Sequence, residues 1–474
     1  MSNHTFYWHD YETWGADPTF DRASQFAGVR TDADLNIIGE PLVIYNRPTP
    51  DVVPHPEACL VTGITPQEAL NKGVSEREFI SAIHRELSQP GTCGAGYNSI
   101  RFDDEVTRFT LYRNFIDPYA REWQNGNSRW DLIDVVRLCC ALRPEGIEWP
   151  RRDDGEISFK LELLTAANGL AHESAHDAFS DVLATIELAR IIKTRKPKLF
   201  DYALSLRKKQ TVAQLLDLNR QKPLLHISSR YPASRFCSAL VMPLAMHPVN
   251  KNSVIAVDLM ADPEPLLTLS PAKVAERVFA RSDDLAEGVE RIPLKEIHLN
   301  RSPMLATLNL LDDAAQERLQ IDMARCEAHW QMLSKADLRH KLSDIYSQRE
   351  FAEHTDPERM LYSGGFFSNE DRRLMDEVTR SSGDQLADRT FPFSDSRLAE
   401  MLFRYRARNF PNSLTPEEQL HWQEFCHSRV HEEDGGGGLT AGQCLTRIAE
   451  LRPGQSPARQ QVLDSLADYV KGLP

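Results

Sequence analysis

The sequence predicts an α/β fold for its first part, followed by a smaller β-rich region and a helical region. The first part opens with strand-like runs that then alternate with helix-like runs. Residues 223–308 carry short β-like runs broken by Pro, Asn and Ser, and helical periodicity follows from about residue 357. The length of 474 residues is that of about three domains. We therefore set the domain boundaries at 1–196, 197–346 and 357–474, with a linker over 346–358.

Strands and helices in the first region follow from periodicity and turn signals. The predicted strands are Thr5–His9, Phe26–Arg30, Ile37–Tyr45 and Gly91–Tyr97. The predicted helices are Glu76–Leu87, Asp103–Asn114, Leu132–Leu142, Leu161–Ala167 and Ala178–Thr194. This order of elements predicts a mixed sheet flanked by helices. Near the end of the chain, the run Gly435–Gly438 predicts a flexible connection.

The composition is that of an ordinary globular protein, with 41% hydrophobic and 26% charged residues. No apolar run approaches the ~20 residues of a membrane helix, and the N-terminus lacks the pattern of a secretory signal. The eight cysteines are scattered without Cys-x-x-Cys spacing. This argues against a zinc site or a disulfide framework, and it favours reduced thiols in a cytoplasmic protein without membrane contact.

The first predicted strand ends in two carboxylates, Asp10 and Glu12. Residues i and i+2 of a strand share a face, so these two anions stand side by side and repel each other. The same spacing recurs at Asp103/Glu105, Asp262/Glu264 and Asp356/Glu358. For those pairs the spacing alone predicts only a solvated surface pair. Asp10 and Glu12 differ because they close the aromatic run Phe6–Trp8 at the edge of a core, where a hard cation such as Mg²⁺ or Mn²⁺ would cancel the repulsion.

Two further stretches supply the remaining candidate site residues. "GYNSIRFDDEV" places Asn98, Phe102 and Asp103 at the start of a helix. "AHDAFSDVLATIELAR" places His176 just before a helix and Asp181 one turn inside it. Together with Asp10 and Glu12, these residues resemble the three motifs of the DEDDh 3′→5′ exonuclease superfamily.

Two positions in these motifs have close competitors. Asp104 adjoins Asp103, and only one of the two can face a metal; the family's Phe-Asp pattern favours Asp103. His172 and Asp177 repeat the spacing of His176 and Asp181. Asp177 directly precedes a helix and is the better N-cap, while His172 is better placed in a loop. We therefore prefer His176 and Asp181.

The resemblance extends over the chain to the bacterial exonuclease I family, through segments such as "HDYETWG", "EVTRFTLYRNF", "NSRWDL" and "YRARNFP". It implies a ribonuclease H-like exonuclease domain, an SH3-like β domain and a C-terminal helical domain. It also implies an exodeoxyribonuclease that degrades single-stranded DNA processively in the 3′→5′ direction, releases 5′-mononucleotides, and serves DNA repair and recombination. A monomer is expected, which binds the acidic C-terminal tail of single-stranded DNA-binding protein.

The resemblance also implies a two-metal hydrolysis, with Mg²⁺ as the cofactor and Mn²⁺ as a substitute. Two divalent ions ~3.5–4 Å apart activate a water molecule and stabilise the leaving 3′-oxygen. Asp10 bridges both ions, and Glu12, Asp103 and Asp181 complete their shells. His176 is the candidate general base, because a pKa near ~6.5 lets it accept a proton around neutral pH.

A basic block interrupts the acidic chain, whose net charge is −14. Between residues 190 and 257, thirteen lysines and arginines stand against two aspartates, which favours a face that follows a phosphate backbone. Tyr202 and Tyr231 either stack on bases or pack. The "YRARNF" segment adds alternating cations and aromatics of the kind that suit single strands. The expected substrate contacts are Glu12, Asn98, Phe102, Lys160, Lys208, Lys209, Lys222, Arg404, Arg406 and Arg408.

Two other functions remain open at this point. A 3′→5′ exoribonuclease of the same superfamily would use the same carboxylates and histidine, although such enzymes are typically small single domains. A non-catalytic single-strand DNA-binding protein with the same fold would be expected to have lost at least one motif residue, and all five are present.

Overall fold

The computed structural model describes residues 4–171, 177–281, 284–347 and 354–474, which form two compact units. The first unit draws on three separate stretches, Met1–Ser128, His172–Leu183 and Ala352–Pro474. The second unit comprises Arg129–Ala171 and Ala184–Phe351. The first unit therefore combines the beginning and the end of the chain.

A mixed sheet organises the first unit, as predicted. Four of its five strands are β1 (Thr5–Thr13), β2 (Ala23–Thr31), β3 (Leu42–Tyr45) and β4 (Thr92–Gly96), and they lie in the order β3-β2-β1-β4. The β1–β2 and β2–β3 pairs are antiparallel, whereas β1 and β4 are parallel. Strand β1 continues four residues beyond its predicted end. Asp10 and Glu12 consequently lie within a strand that β2 still holds in register.

Three helices lie between β3 and β4 along the chain, and a fourth follows β4. They are α1 (Pro56–Thr62), α2 (Pro66–Lys72), α3 (Glu76–Leu87) and α4 (Asp103–Arg113). Helix α3 has the predicted bounds because Ser75 and Glu78 form a reciprocal capping box at its start. The sequence analysis did not predict α1 and α2, which are two short helices that begin with proline.

One face of β1 is anchored in a hydrophobic core. Tyr7 and Tyr11 pack there with Phe26 of β2 and with the buried face of α3, including Phe79 and Ile83. Side chains alternate across a strand, so the residues at positions 10 and 12 point to the opposite face. Tyr7 and Tyr11 thus hold the strand in place from one face, and the two carboxylates lie on the other face.

The C-terminal part of the first unit is helical, as predicted. A 3₁₀ turn covers Pro357–Arg359, and the helices are α15 (Asn369–Arg380), α16 (Gly383–Asp388), α17 (Ser396–Asn409), α18 (Pro416–His431), α19 (Ala441–Leu451) and α20 (Pro457–Lys471). The proposed linker ends in this 3₁₀ turn, where Glu358 is buried. Residues 348–353 of that linker lie outside the described residues.

The prediction of a flexible connection at Gly435–Gly438 is wrong. A Cβ at Gly435 would collide with the Ser428 carbonyl, and one at Gly437, which is buried, would collide with the Arg429 carbonyl. Both carbonyls belong to α18. Gly435 and Gly437 therefore lie where the chain packs directly against the helix backbone and no side chain fits.

The second unit contains the β-rich region that the sequence predicts. The strands are β5 (Ser128–Asp131), β6 (Leu224–Ile227), β7 (Ser238–Met246), β8 (Ser253–Asp258), β9 (Leu294–His298) and β10 (Met304–Thr307). Strands β6 to β10 form an antiparallel sheet in the order β10-β6-β7-β8-β9. The remaining helices are α5 (Leu132–Leu142), α6 (Leu161–Ala167), α7 (Ala178–Arg195), α8 (Pro197–Ser205), α9 (Lys209–Leu215), α10 (Glu264–Thr268), α11 (Pro271–Phe279), α12 (Asp313–Arg318), α13 (Met323–Leu333) and α14 (Arg339–Ser347). In the parts of the chain that the structure describes, no helix is both long enough and apolar enough to cross a membrane.

Candidate metal centre and active site

The candidate site forms where β1 extends beyond its parallel neighbour. Pairing with β4 covers only Thr5–Trp8, whereas pairing with β2 continues through Asp10 and Glu12. Strand β4 departs at Gly96, where a Cβ would lie 2.8 Å from the His9 carbonyl oxygen. Glycine at this position therefore allows the backbones to approach closely just as the chain turns away. Asp10 and Glu12 are left at an open edge.

Three carboxylates converge at this edge. Single oxygens of Asp10, Glu12 and Asp181 all lie within 4.8 Å of one another, which is an arrangement that could hold a metal ion. Asp181 arrives on the first turn of α7. That helix is capped by Asp177, whose carboxylate accepts the backbone N–H of Ser180 at 3.1 Å. The prediction that Asp177 is the N-cap is confirmed.

The adjacent residues Asp103 and Asp104 have different partners. Asp103 is buried, and its Oδ1 accepts the backbone N–H of Tyr11 at 3.0 Å, which ties the start of α4 to β1 between the two strand carboxylates. Asp104 forms a buried ion pair with Arg121 at 2.6 Å. Asp104 is thus committed elsewhere, and Asp103 is the aspartate associated with the cluster. The Tyr11 contact uses the backbone, so no side-chain pattern in the sequence could have revealed it.

The carboxylates of the cluster are partly removed from water and lie close to other carboxylates of the same charge. Burial raises the pKa of Asp10 well above its usual range, and the carboxylates of Asp103, Glu12 and Asp181 raise it further. Burial, with the charges of Asp181 and Asp103, raises the pKa of Glu12 to about 9. A bound divalent cation would relieve the same repulsion that raises the pKa values of Asp10 and Glu12. The donor set is all oxygen, which fits a hard divalent cation.

The remaining predicted motif residues are Asn98, Phe102 and His176. Asn98 is half-buried and adopts a positive φ of 64°, in the turn that connects β4 to α4. Phe102 is half-buried against the core that contains Tyr11. His172 and His176 lie outside the described residues. The role of His176 as general base therefore stays a prediction.

The predicted lysine contacts are exposed. This holds for Lys160, Lys208, Lys209 and Lys222, all of which belong to the second unit. The Nζ of Lys209 lies 2.5 Å from Asn252 Oδ1, and that of Lys160 lies 3.9 Å from Glu162. Their exposure is compatible with binding to phosphates.

The two tyrosines of the basic block are occupied within the protein. The Tyr202 hydroxyl donates to the Leu305 carbonyl at 2.8 Å. Tyr231 is buried, and its hydroxyl lies 3.0 Å from His226 Nδ1. These contacts favour packing over base stacking for both residues.

The structure corrects the expectation that the three arginines of "YRARNF" meet phosphates. Arg404 pairs with Asp356 and Glu400, each at 2.7 Å, and Arg408 pairs with Asp51 at 2.8 Å and with Glu358. Arg406 donates to Glu418 at 2.6 Å and to the Ser413 carbonyl at 2.5 Å. Their hydrogen-bonding capacity is used by carboxylates inside the first unit, and the side chains of Arg404 and Arg408 are buried.

Family models match nearly the whole chain. A model described as "Exonuclease" covers residues 7–189, the exonuclease I SH3-like domain covers 207–348, and the exonuclease I C-terminal domain covers 355–473. Exodeoxyribonuclease I of Haemophilus influenzae is 46% identical over 435 residues, which are 91% of this chain and 92% of the relative. This chain belongs to the exodeoxyribonuclease I family. As a member of this family it is an exonuclease that uses a divalent metal, and its acidic cluster is the candidate place for that metal.

Solved structures of the exodeoxyribonuclease I family share the whole fold. Exonuclease I from Methylocaldum szegediense superposes with a TM-score of 0.95 at 48% identity and covers 99% of both chains. Escherichia coli exonuclease I in complex with a dA16 oligonucleotide gives a TM-score of 0.93 at 43% identity, over 99% of this chain and 100% of the other. The β-rich second region is therefore the SH3-like domain that the sequence predicted.

Proposed function

We propose that this chain degrades single-stranded DNA from its 3′ end, releases 5′-mononucleotides, and does so processively in DNA repair and recombination. The convergence of Asp10, Glu12 and Asp181 at the open edge of β1 carries the proposal. Its support from relatives is the oligonucleotide complex of the E. coli enzyme, whose sequence and fold are similar to this chain over nearly its full length.

The four carboxylates would bind two Mg²⁺ ions, with Mn²⁺ as a substitute. Asp10 would be the ligand shared by both ions, as the resemblance to the superfamily implies, and single oxygens of Asp10, Glu12 and Asp181 lie within 4.8 Å of one another. Bound divalent ions supply Lewis-acid stabilisation of the charge that develops in an in-line displacement at phosphorus. A zinc-bound form of a related exonuclease I complex supports a divalent ion but not its identity.

The chain's own residues would perform the remaining steps. His176 would accept the proton of the attacking water as the bond from water to phosphorus forms. The bond to the 3′-oxygen of the preceding nucleotide then breaks, and the terminal nucleotide leaves with a 5′-phosphate. Asn98, Phe102 and Glu12 would orient the terminal nucleotide. The exposed Lys160, Lys208, Lys209 and Lys222 would hold the strand's phosphates by charge.

The partners in this proposal are single-stranded DNA and the acidic C-terminal tail of single-stranded DNA-binding protein. A solved SSB/exonuclease I complex at 42% identity supports the second partner. The enzyme would act as a monomer in the cytoplasm. All eight cysteines are buried free thiols, which suits a reducing compartment.

A degradation assay on matched single-stranded DNA and RNA tests the proposal. Each strand carries a different label at each end, and the reaction is run with Mg²⁺ and with a chelator. We expect Mg²⁺-dependent loss of the 3′ label first, and mononucleotide products from DNA. Faster cleavage of the RNA would favour an exoribonuclease, whereas binding without cleavage of either strand would favour a non-catalytic single-strand binding protein.

The base is tested separately. His176→Ala should lower kcat by ~10²–10⁴-fold because general-base assistance is lost, while metal affinity measured by calorimetry stays unchanged. His172→Ala is the matched control and should have nearly wild-type activity. Loss of a metal site in His176→Ala would reassign that histidine as a ligand.

A further inference from the structure

A buried ion-pair network lies in the first unit beside the loop that follows β1. Glu358 is its centre: its Oε2 accepts from Arg408 at 2.9 Å and lies 3.4 Å from an Arg22 nitrogen. Asp51 lies 2.8 Å from Arg408 and 3.6 Å from Arg22. The four side chains are no more than 4% exposed. We call these four residues the Glu358 network.

Arg22 connects this network to the metal-ligand strand. Its carbonyl accepts the backbone N–H of Trp14 at 2.9 Å, which closes the loop between β1 and β2 only two residues after Glu12. Its guanidinium lies 3.4 Å from Glu76 and 3.4 Å from Glu358. The residue whose guanidinium belongs to the network therefore also holds, through its backbone carbonyl, the end of β1 that carries Glu12.

Phe20, at the tip of the same loop, is held by the C-terminal part of the chain. The Arg359 and Arg429 guanidiniums lie 5.4 Å and 5.1 Å from the centre of its ring, in the range of cation–π contacts. Arg359 also lies 3.3 Å from Asp17 in the loop. Gly438 faces the ring so closely that a Cβ there would lie 2.9 Å from it.

Helix α4, which begins with Asp103, is fixed by the same segment. The Tyr112 hydroxyl donates to the Pro357 carbonyl at 3.1 Å. Arg113 pairs with Glu76 at 2.8 Å, and Glu76 in turn lies beside Arg22. The turn Pro357–Arg359 therefore contacts both elements that flank the acidic cluster, the loop after Glu12 and the helix of Asp103.

We propose that Glu358 is a positioning residue for the metal site, which acts through Arg22 and the Phe20 loop to set the place of the Glu12 end of β1. The proposal rests on the metal-dependent function proposed above. Glu358 pairs with Arg22, Arg404 and Arg408, and it comes from the C-terminal part of the chain. Groups that hydrogen-bond a metal ligand directly typically change metal affinity 10–100-fold when removed, and because Glu358 acts through Arg22 we expect an effect at the lower end of that range.

If the Glu358 network only stabilised the fold, its loss would have a different effect on metal binding. Its loss would lower the unfolding midpoint, but the fraction that stays folded would bind metal as before. Metal affinity of the folded protein, measured without nucleic acid, therefore separates the two roles. This readout also stands apart from the question of substrate, because it needs no hydrolysis.

The test compares three single variants of the full chain by Mn²⁺ calorimetry at a temperature where each is folded. Glu358→Gln keeps the shape of the side chain but removes its charge, and should weaken Mn²⁺ binding by about tenfold or more. Phe20→Leu leaves the ion pairs intact while loosening the loop, and should shift affinity in the same direction. Glu400→Gln is the control, because Glu400 pairs with Arg404 at 2.7 Å but contacts neither the loop nor α4 in the described contacts.

Excess metal should restore the activity of Glu358→Gln and Phe20→Leu towards the wild-type kcat. If Glu358→Gln does not fold, Phe20→Leu decides the outcome. Wild-type Mn²⁺ affinity in folded Phe20→Leu, or an equal loss in Glu400→Gln, would overturn the proposal.

Discussion

Two clusters of buried carboxylates lie in the first unit, and they differ in what surrounds them. At the end of β1, Asp10 and Glu12 have other carboxylates as neighbours, and burial and repulsion together raise their pKa values. Around Arg408, burial again acts to raise the pKa of Asp51 and Glu358, but the arginines lower both pKa values well below the usual range. Burial is common to the two places. The sign of the neighbouring charge decides whether a carboxylate binds a cation from solution or is satisfied by the fold.

The largest effect is expected from Asp10→Asn. Removing the anion shared by the cluster should reduce nuclease activity on the order of 10³-fold or more, about 4 kcal/mol of barrier. The same change removes repulsion, so the thermal midpoint measured in chelator should rise. Activity assays and calorimetry of the metal-free protein measure the two effects. A lower midpoint would mean that Asp10 is satisfied by the fold, and the contrast with the Glu358 network would disappear.

The second cluster should respond in the opposite way to the loss of a partner. Arg408→Met leaves Asp51 and Glu358 buried without their main cation, which should cost about 3–5 kcal/mol of unfolding free energy. Arg447→Met is the control, since Arg447 pairs with Glu57 and Glu450 on the surface and should have little effect. Urea denaturation measures both. Equal, small effects would show that the buried pairs are no more important than exposed ones.

The stability that the second cluster contributes should depend on pH. The pKa values of Asp51 and Glu358 are lower in the folded protein than in the unfolded chain, so their stabilisation is present above pH ~4 and is lost as pH falls below that value. Asp51→Asn should therefore be less stable than the wild type at pH 6, and the difference should narrow below pH ~4. Urea midpoints over a pH series measure this. A difference that widens on acidification would contradict the lowered pKa values.

The smallest effect is expected from two exposed lysines that belong to neither cluster. Lys208 and Lys209 are exposed, so the salt dependence of single-strand binding should include their contribution. The double change Lys208→Glu with Lys209→Glu should flatten the slope of log K against log salt by about 0.7 per lost phosphate contact, and should leave more partly shortened products. Lys471→Glu, on the exposed face of α20, should leave the slope unchanged. An unaltered slope in the double variant would mean that these lysines do not contact the strand.

Periodicity and spacing predicted much of the fold and the core of the site. Glu76–Leu87 and Leu132–Leu142 have the predicted bounds because regular apolar patterns mark both helices. The convergence of Asp10, Glu12 and Asp181 followed from their motifs. The helices follow from local periodicity, and the carboxylates follow from motifs that occur together. Both kinds of signal can be read directly from the sequence.

Long-range partners were not predictable in the same way. The spacing of Asp356 and Glu358 matches that of Asp10 and Glu12, and it indicated only a surface pair, yet Glu358 is buried among arginines from distant segments. The "YRARNF" arginines were assigned to phosphates because the sequence does not show which carboxylates they meet: Arg404 pairs with Glu400 on the same helix, whereas Arg408 pairs with Asp51, which is 357 residues away. Composition likewise indicated flexibility at Gly435–Gly438. The sequence does not show that the backbone of α18 lies where side chains at Gly435 and Gly437 would be.

The discontinuous make-up of the first unit has a consequence during biosynthesis. About 220 residues separate Ser128 from Ala352, so at ~5–20 residues per second a ribosome needs on the order of 10–40 s before it reaches the last stretch of that unit. Over this interval the nascent sheet lacks Glu358, Arg408 and the helices that pack beside it. The first unit is therefore completed only after its last stretch is synthesised, and a chain interrupted before Ala352 carries the carboxylates of β1 without the Glu358 network.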